Sequence, residues 1–222
     1  LKRPVIVVNF KVYMEADGPN ALNIAKACES VAKETGANII ACPPMTELGA
    51  VARSVSIPVF SQNADPHAPG SSTGWVTPSM IKSSGATGTL INHSEHKMAA
   101  RDIEETIELC KGIDLITIIC ADATKSAAHA ATFAPDFIAV EPPELIGGDV
   151  SVTTANPGII EKTVNAVKTV NKHISVLCGA GIKTGKDVKS ATDLGADGVL
   201  IASGVVKAKD PRAALFDLAK HI

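Results

Sequence analysis

The chain has 222 residues, 45% hydrophobic and 20% charged, with a formal net charge of −2. That size and apolar share allow a substantial buried core, while the dispersed Lys and Arg leave no basic stripe for nucleic acid, so a small-molecule partner is expected. Apolar runs fall well short of the roughly 20 residues that span a bilayer, and the N-terminal LKRPVIVVNF has no signal-cleavage pattern; no membrane partner and a cytoplasmic location are expected.

In chain order, eight short apolar runs stand out: 4–10 (PVIVVNF), 37–43 (ANIIACP), 57–63 (IPVFSQN), 87–93 (TGTLINH), 114–121 (DLITIICA), 136–142 (DFIAVEP), 174–179 (ISVLCG) and 197–203 (DGVLIAS). Most are continuously apolar rather than alternating, the pattern of parallel strands covered on both faces. Amphipathic segments lie between them at 21–34, 102–112, 155–172 and 185–196. The alternation predicts one α/β domain over residues 1–222, a single (β/α)8 barrel. A doubly wound open sheet uses the same local units. The count of eight, and the lack of GxGxxG after the first strand, favour the barrel.

The five cysteines, at 28, 42, 110, 120 and 178, are odd in number and form no CxxC pair, which fits reduced thiols. Cys42, Cys120 and Cys178 end apolar runs, where a small buried residue is the ordinary occupant. A pairing of His93 with His96 on one metal is disfavoured because His93 precedes the expected helix cap. No metal and no organic cofactor are expected.

Reactive groups in a barrel gather at the C-terminal ends of its strands. The first strand ends in Asn9-Phe10-Lys11, and alternation puts Asn9 and Lys11 on one side. After the fourth, Ser94 reads as the N-cap of a helix running through 98–110. That places His93 at a helix N-terminus, where the dipole favours a neutral ring. The sixth ends at Glu141, followed by Pro142-Pro143 and by Gly147-Gly148, a carboxylate beside a hinged flap. The seventh and eighth end in Cys178-Gly179-Ala180-Gly181 and Ile201-Ala202-Ser203-Gly204, small-residue turns whose N–H groups suit an anion. Residues 61–74 form a long polar connection.

Five motifs, at 9–11 (NFK), 92–95 (NHSE), 139–148 (AVEPPELIGG), 177–181 (LCGAG) and 197–203 (DGVLIAS), resemble in order and spacing the triosephosphate isomerase family, in its compact archaeal form, over essentially the whole chain. The resemblance implies interconversion of dihydroxyacetone phosphate and glyceraldehyde 3-phosphate through an enediol. It implies Glu141 as base, His93 as electrophile, Lys11 as electrostatic residue and Asn9 as substrate contact, with Glu95 a supporting carboxylate near the lysine. Ile146 and Gly147, facing Gly181, Ala202 and Ser203, are implied to hold the phosphate. The 61–74 segment is implied to enter a neighbouring subunit, bringing Thr73 near Lys11 and Glu95 there, in a homo-oligomer that is at least a dimer and in the archaeal type generally a tetramer. Asn92, His96, Lys97, Ala202 and Ser203 depart from the pattern of bacterial and eukaryotic members, and the flap lacks the usual tryptophan.

These residue types suit the chemistry. Removing a proton beside a carbonyl needs a base at carbon and donors at oxygen. A glutamate base with a neutral histidine in this enzyme is itself a standard example of pKa tuning. Another phosphate-binding barrel enzyme with a larger sugar phosphate, or a binding protein on the same scaffold, remain the alternatives.

Overall fold

The computed structural model of the chain describes residues 3–142 and 157–220. Eight parallel strands form one sheet: β1 (Val5–Asn9), β2 (Asn38–Cys42), β3 (Phe60–Ser61), β4 (Gly88–Ile91), β5 (Ile116–Ala121), β6 (Phe137–Val140), β7 (Ser175–Cys178) and β8 (Gly198–Ile201). β1 pairs with both β2 and β8, and the order continues from β8 down to β3. The two remaining edges meet through a parallel bridge between Ala41 and Val59, where the Ala41 N–H donates to the Pro58 carbonyl at 3.1 Å. The sheet is therefore a barrel and not an open doubly wound layer. At the β8–β1 seam, Gly198 has φ 150°, and a Cβ there would strike the Val5 backbone.

Helices cover the outside: α1 (Pro19–Thr35), α2 (Leu48–Ala52), α3 (Pro78–Ser83), α4 (Ala100–Lys111), α5 (Thr124–Ala130), α6 (Pro157–Val170), α7 (Gly185–Asp193), α8 (Ser203–Val206) and α9 (Pro211–Ala219). Side chains alternate across each strand. Val5, Val7, Leu90, Ile118, Phe137 and Leu177 fill the interior with their neighbours. Ile6 and Val8 share an outer cluster with Cys28 and Val31 of α1 and Leu215 of α9, and Ile119 and Ile138 share another with Ile107 and Val167. Fully burying each such branched side chain contributes about 1.5–3 kcal/mol. The same inward parity that buries Val5, Phe137 and Leu177 carries Asn9, Glu141 and Gly179 to the C-terminal mouth.

Two expectations are corrected. Ser94 caps no helix: residues 94–96 form a turn closed by the His96 N–H on the His93 carbonyl at 2.8 Å, and α4 starts only at Ala100. The cause is Asn92, which adopts a left-handed φ of 60° and bonds in both directions. Its Nδ2 donates to the Cys120 carbonyl and its Oδ1 accepts from the Met98 N–H, both at 3.0 Å. Asparagine tolerates this conformation better than most residues. The third strand is also shorter than its apolar run, because Pro58 has no N–H to offer and Gln62 turns toward the loop after β1.

Candidate active site

Asn9, His93 and Glu141 are polar yet only 4%, 6% and 5% exposed. All three line one cavity of about 580 Å³ at the C-terminal mouth, together with Lys11, Glu95, Gly181, Ala202 and Ser203. Most of the sequence-predicted site residues are thus brought together. Thr73 is exposed and lies outside this cavity, and Ile146 and Gly147 fall outside the described residues.

Lys11 reaches the cavity by a different route from the one expected. The extended chain stops at Asn9, and Lys11 sits at φ 49°, a left-handed conformation that costs a side-chain-bearing residue on the order of 1 kcal/mol. It is held there from two sides: its N–H donates to Asn9 Oδ1 at 3.0 Å, and its carbonyl accepts from Gln62 Nε2 at 2.9 Å. Gln62 also donates to the Cys42 carbonyl at 3.0 Å, tying β2, β3 and the first loop into one frame. The ammonium pairs with Glu95 Oε1 at 2.7 Å. Sequence reasoning overlooked Gln62; the signal was an amide at a strand end, two residues beyond inward-facing Phe60.

His93 is oriented by the turn that follows it and not by a helix N-terminus. Its Nδ1 accepts a hydrogen bond from the Glu95 N–H at 3.1 Å, so that nitrogen carries no proton and the ring's N–H is on Nε2. Nε2 stands 3.4 Å from Glu141 Oε1. The Glu141 backbone is still attached to the barrel, its N–H donating to the Ala121 carbonyl at 2.7 Å. Among the described residues, no group donates a hydrogen bond to the buried Oε2 of Glu141. The Cys120 thiol is next to the Glu141 carboxylate: burial first, then the Glu141 charge and the thiol's hydrogen bond to that carboxylate, push its pKa well above the ordinary value.

The far wall consists of the turns after β7 and β8. Gly181 has a left-handed φ of 70°, and the first N–H groups of α8 have no acceptor within their own helix. Lys183 and Tyr13 also line the cavity, with Lys207 Nζ 4.2 Å above the Tyr13 ring.

The triosephosphate isomerase family model matches residues 4–221. The chain belongs to the triosephosphate isomerase family. It is 50% identical to the triosephosphate isomerase of Methanoculleus marisnigri over 215 residues, 97% of each chain. It is 49% identical to that of Methanothermus fervidus over 218 residues, 98% of each. The triosephosphate isomerase of Methanobrevibacter smithii is 45% identical over 222 residues, the whole of both chains. Lys97 lies outside the cavity lining, 3.4 Å from Asp122 of the loop after β5. Among the described residues no group of three or more His, Cys, Asp and Glu is placed to hold a metal, and no helix is long and apolar enough to cross a membrane.

Proposed function

We propose that Glu141 takes a proton from the carbon beside the carbonyl of a triose phosphate, and that His93 and Lys11 stabilise the charge that appears on oxygen. Interconversion of dihydroxyacetone phosphate and glyceraldehyde 3-phosphate is the reaction of the family to which the chain belongs. In the forward direction the C1–H bond breaks, its electron pair forms the C1–C2 double bond of an enediolate, and the proton goes to the carboxylate. Return of that proton to C2, with the hydroxyl proton moved between O1 and O2 at His93, gives the aldehyde. Catalytic power of this kind comes from a positioned base and from donors aimed at the developing oxyanion.

The observation that carries the reading is the pairing, in one cavity, of a buried carboxylate oxygen that receives no hydrogen bond from the described residues with a histidine whose Nδ1 accepts a hydrogen bond, which leaves its N–H on Nε2. An oxygen already holding a donor would be a weaker acceptor for a carbon-bound proton. The short helix after β8 and the Gly181 turn support phosphate binding through backbone N–H groups of Gly181, Ala202 and Ser203, with Asn9 as a further contact. Ile146 and Gly147 complete that site in the proposal.

An oligomer belongs to the same reading. Val12 and Met14 are 85% and 78% exposed, and Trp75 and Met80 are exposed as well, a set of large apolar side chains on the first loop, the long third loop and α3. The third loop is not slack: Asp65 and Val76 close its base, with Asp65 N–H to the Val76 carbonyl at 2.8 Å and Val76 N–H to Asp65 Oδ2 at 2.7 Å. This supports a preformed projection that carries Thr73 toward Lys11 and Glu95 of the partner subunit. Five unpaired buried thiols support a reducing, cytoplasmic setting.

The test is a coupled assay in both directions with purified chain. The expected outcome is rapid isomerisation competitively inhibited by inorganic phosphate; phosphate binding without any isomerisation would contradict the reading.

A further inference from the structure

We propose that Gly179 is a positioning residue for Glu141: the missing side chain at this position is what allows the carboxylate to lie across the end of β7 and reach His93. The proposal rests on Glu141 being the base. β6 and β7 run in the register Val140–Cys178, so Glu141 and Gly179 form the next pair, and both have the parity that faces the barrel interior. The pair is fixed at the backbone, where the Gly179 N–H donates to the Val140 carbonyl at 2.8 Å.

A Cβ built on Gly179 would stand 2.5 Å from Glu141 Cγ and 3.0 Å from the Val140 carbonyl oxygen. The first distance is shorter than any tolerated carbon–carbon contact, so one of the two groups must move. The backbone does not demand glycine here. Gly181, two residues on, has a left-handed φ, and Gly179 does not. The requirement at 179 is for space, used first by a methylene of the base at 2.5 Å and then by the Val140 carbonyl at 3.0 Å.

Nor can Glu141 yield without consequence. His93 Nε2 is 3.4 Å from its Oε1, and the Cys120 thiol is next to its carboxylate. Restoring an ordinary van der Waals separation moves Cγ by about 1 Å, and a displacement of that size in a reacting group costs on the order of 100-fold in rate.

The experiment compares Gly179→Ala in two backgrounds. In the otherwise unaltered chain, kcat on glyceraldehyde 3-phosphate falls on the order of 100-fold, while the inhibition constant for inorganic phosphate stays within about threefold. In the Glu141→Gln background the same change lowers kcat by no more than about threefold, because the group it displaces no longer functions. If Gly179→Ala alone does not fold, Gly179→Ala combined with Glu141→Ala, which lacks Cγ, recovers a folded chain. A near-normal kcat, a parallel loss of phosphate binding, equal losses in both backgrounds, or a double variant as unfolded as the single one would each overturn the proposal. Wild-type turnover in Glu141→Gln alone is a separate result: it removes the base assignment, and the positioning role with it.

Discussion

The two mouths of the barrel treat charge in opposite ways. At the N-terminal mouth, cations at the ends of successive helices reach the carbonyl that closes the next unit. Arg53 donates to Ser84 at 3.5 Å, Lys82 to Asp114 at 3.0 Å and Lys111 to Phe133 at 3.0 Å. Asp197 there accepts from Arg3 at 3.4 Å, from Lys168 at 3.2 Å and from the Val176 N–H at 3.0 Å. At the C-terminal mouth, Glu141 is buried against His93, its Oε2 receives no hydrogen bond from the described residues, and Lys11 is held in a left-handed conformation. One end joins units and stabilises them; the other keeps reactive groups in unfavourable settings that the rest of the barrel must sustain.

Substitutions at the two ends should separate activity from stability. Lys11→Met removes the cation at the cavity while leaving the barrel intact. The expected loss in kcat/KM is roughly 100- to 1,000-fold, with little change in thermal unfolding. Steady-state kinetics alongside a melting curve checks both halves, and a matching fall in Tm would dissolve the contrast. Asp197→Ala is the converse. It leaves the Val176 N–H and the Lys168 ammonium without this acceptor and should cost about 2 kcal/mol in denaturant unfolding, with kcat altered by less than about twofold.

The smallest expected effect lies on the outer wall. Glu29 accepts from the Ser56 hydroxyl at 2.5 Å and the Ser56 N–H at 2.8 Å, and Lys33 is 3.1 Å away. The Ser56 hydroxyl first, then its N–H and Lys33, draw the carboxyl from its ordinary value near 4.5 down to about 2. A depressed carboxylate pKa adds stability that is fully present above the ordinary value and disappears as pH falls through the folded one. The stability advantage of the unaltered chain over Glu29→Gln should therefore shrink between about pH 4.5 and 2 in acid unfolding, and a difference that does not vary over that interval would exclude this origin.

The barrel was legible because its strands are near-continuous apolar runs, and a parallel sheet covered on both faces requires that pattern. The segments at 21–34, 102–112 and 185–196 correspond to α1, α4 and α7 with shifted ends. α2 and α3 were missed because five and six residues are too few to display a helical period. α9 could have been read, since Asp210 caps it and Pro211 opens it. Site residue types were visible at strand ends, but the reasons for their geometry were not. The hydrogen bond to His93 Nδ1 depends on a turn that Asn92 ties to β5, and the orientation of Lys11 depends on Gln62, 51 residues away. Gly179 reads in the sequence only as part of a small-residue turn suited to an anion, because its contact with Glu141 depends on the β6–β7 register.

The central claim is that the carboxylate of Glu141 removes the carbon-bound proton, and Glu141→Gln tests it with almost no change of shape. Turnover of glyceraldehyde 3-phosphate, and exchange of the C1 hydrogen of dihydroxyacetone phosphate with deuterated solvent, should both fall by on the order of 1,000-fold or more, while inorganic phosphate binds as before. Deuterium uptake by Glu141→Gln at the rate of the unaltered chain would contradict the account.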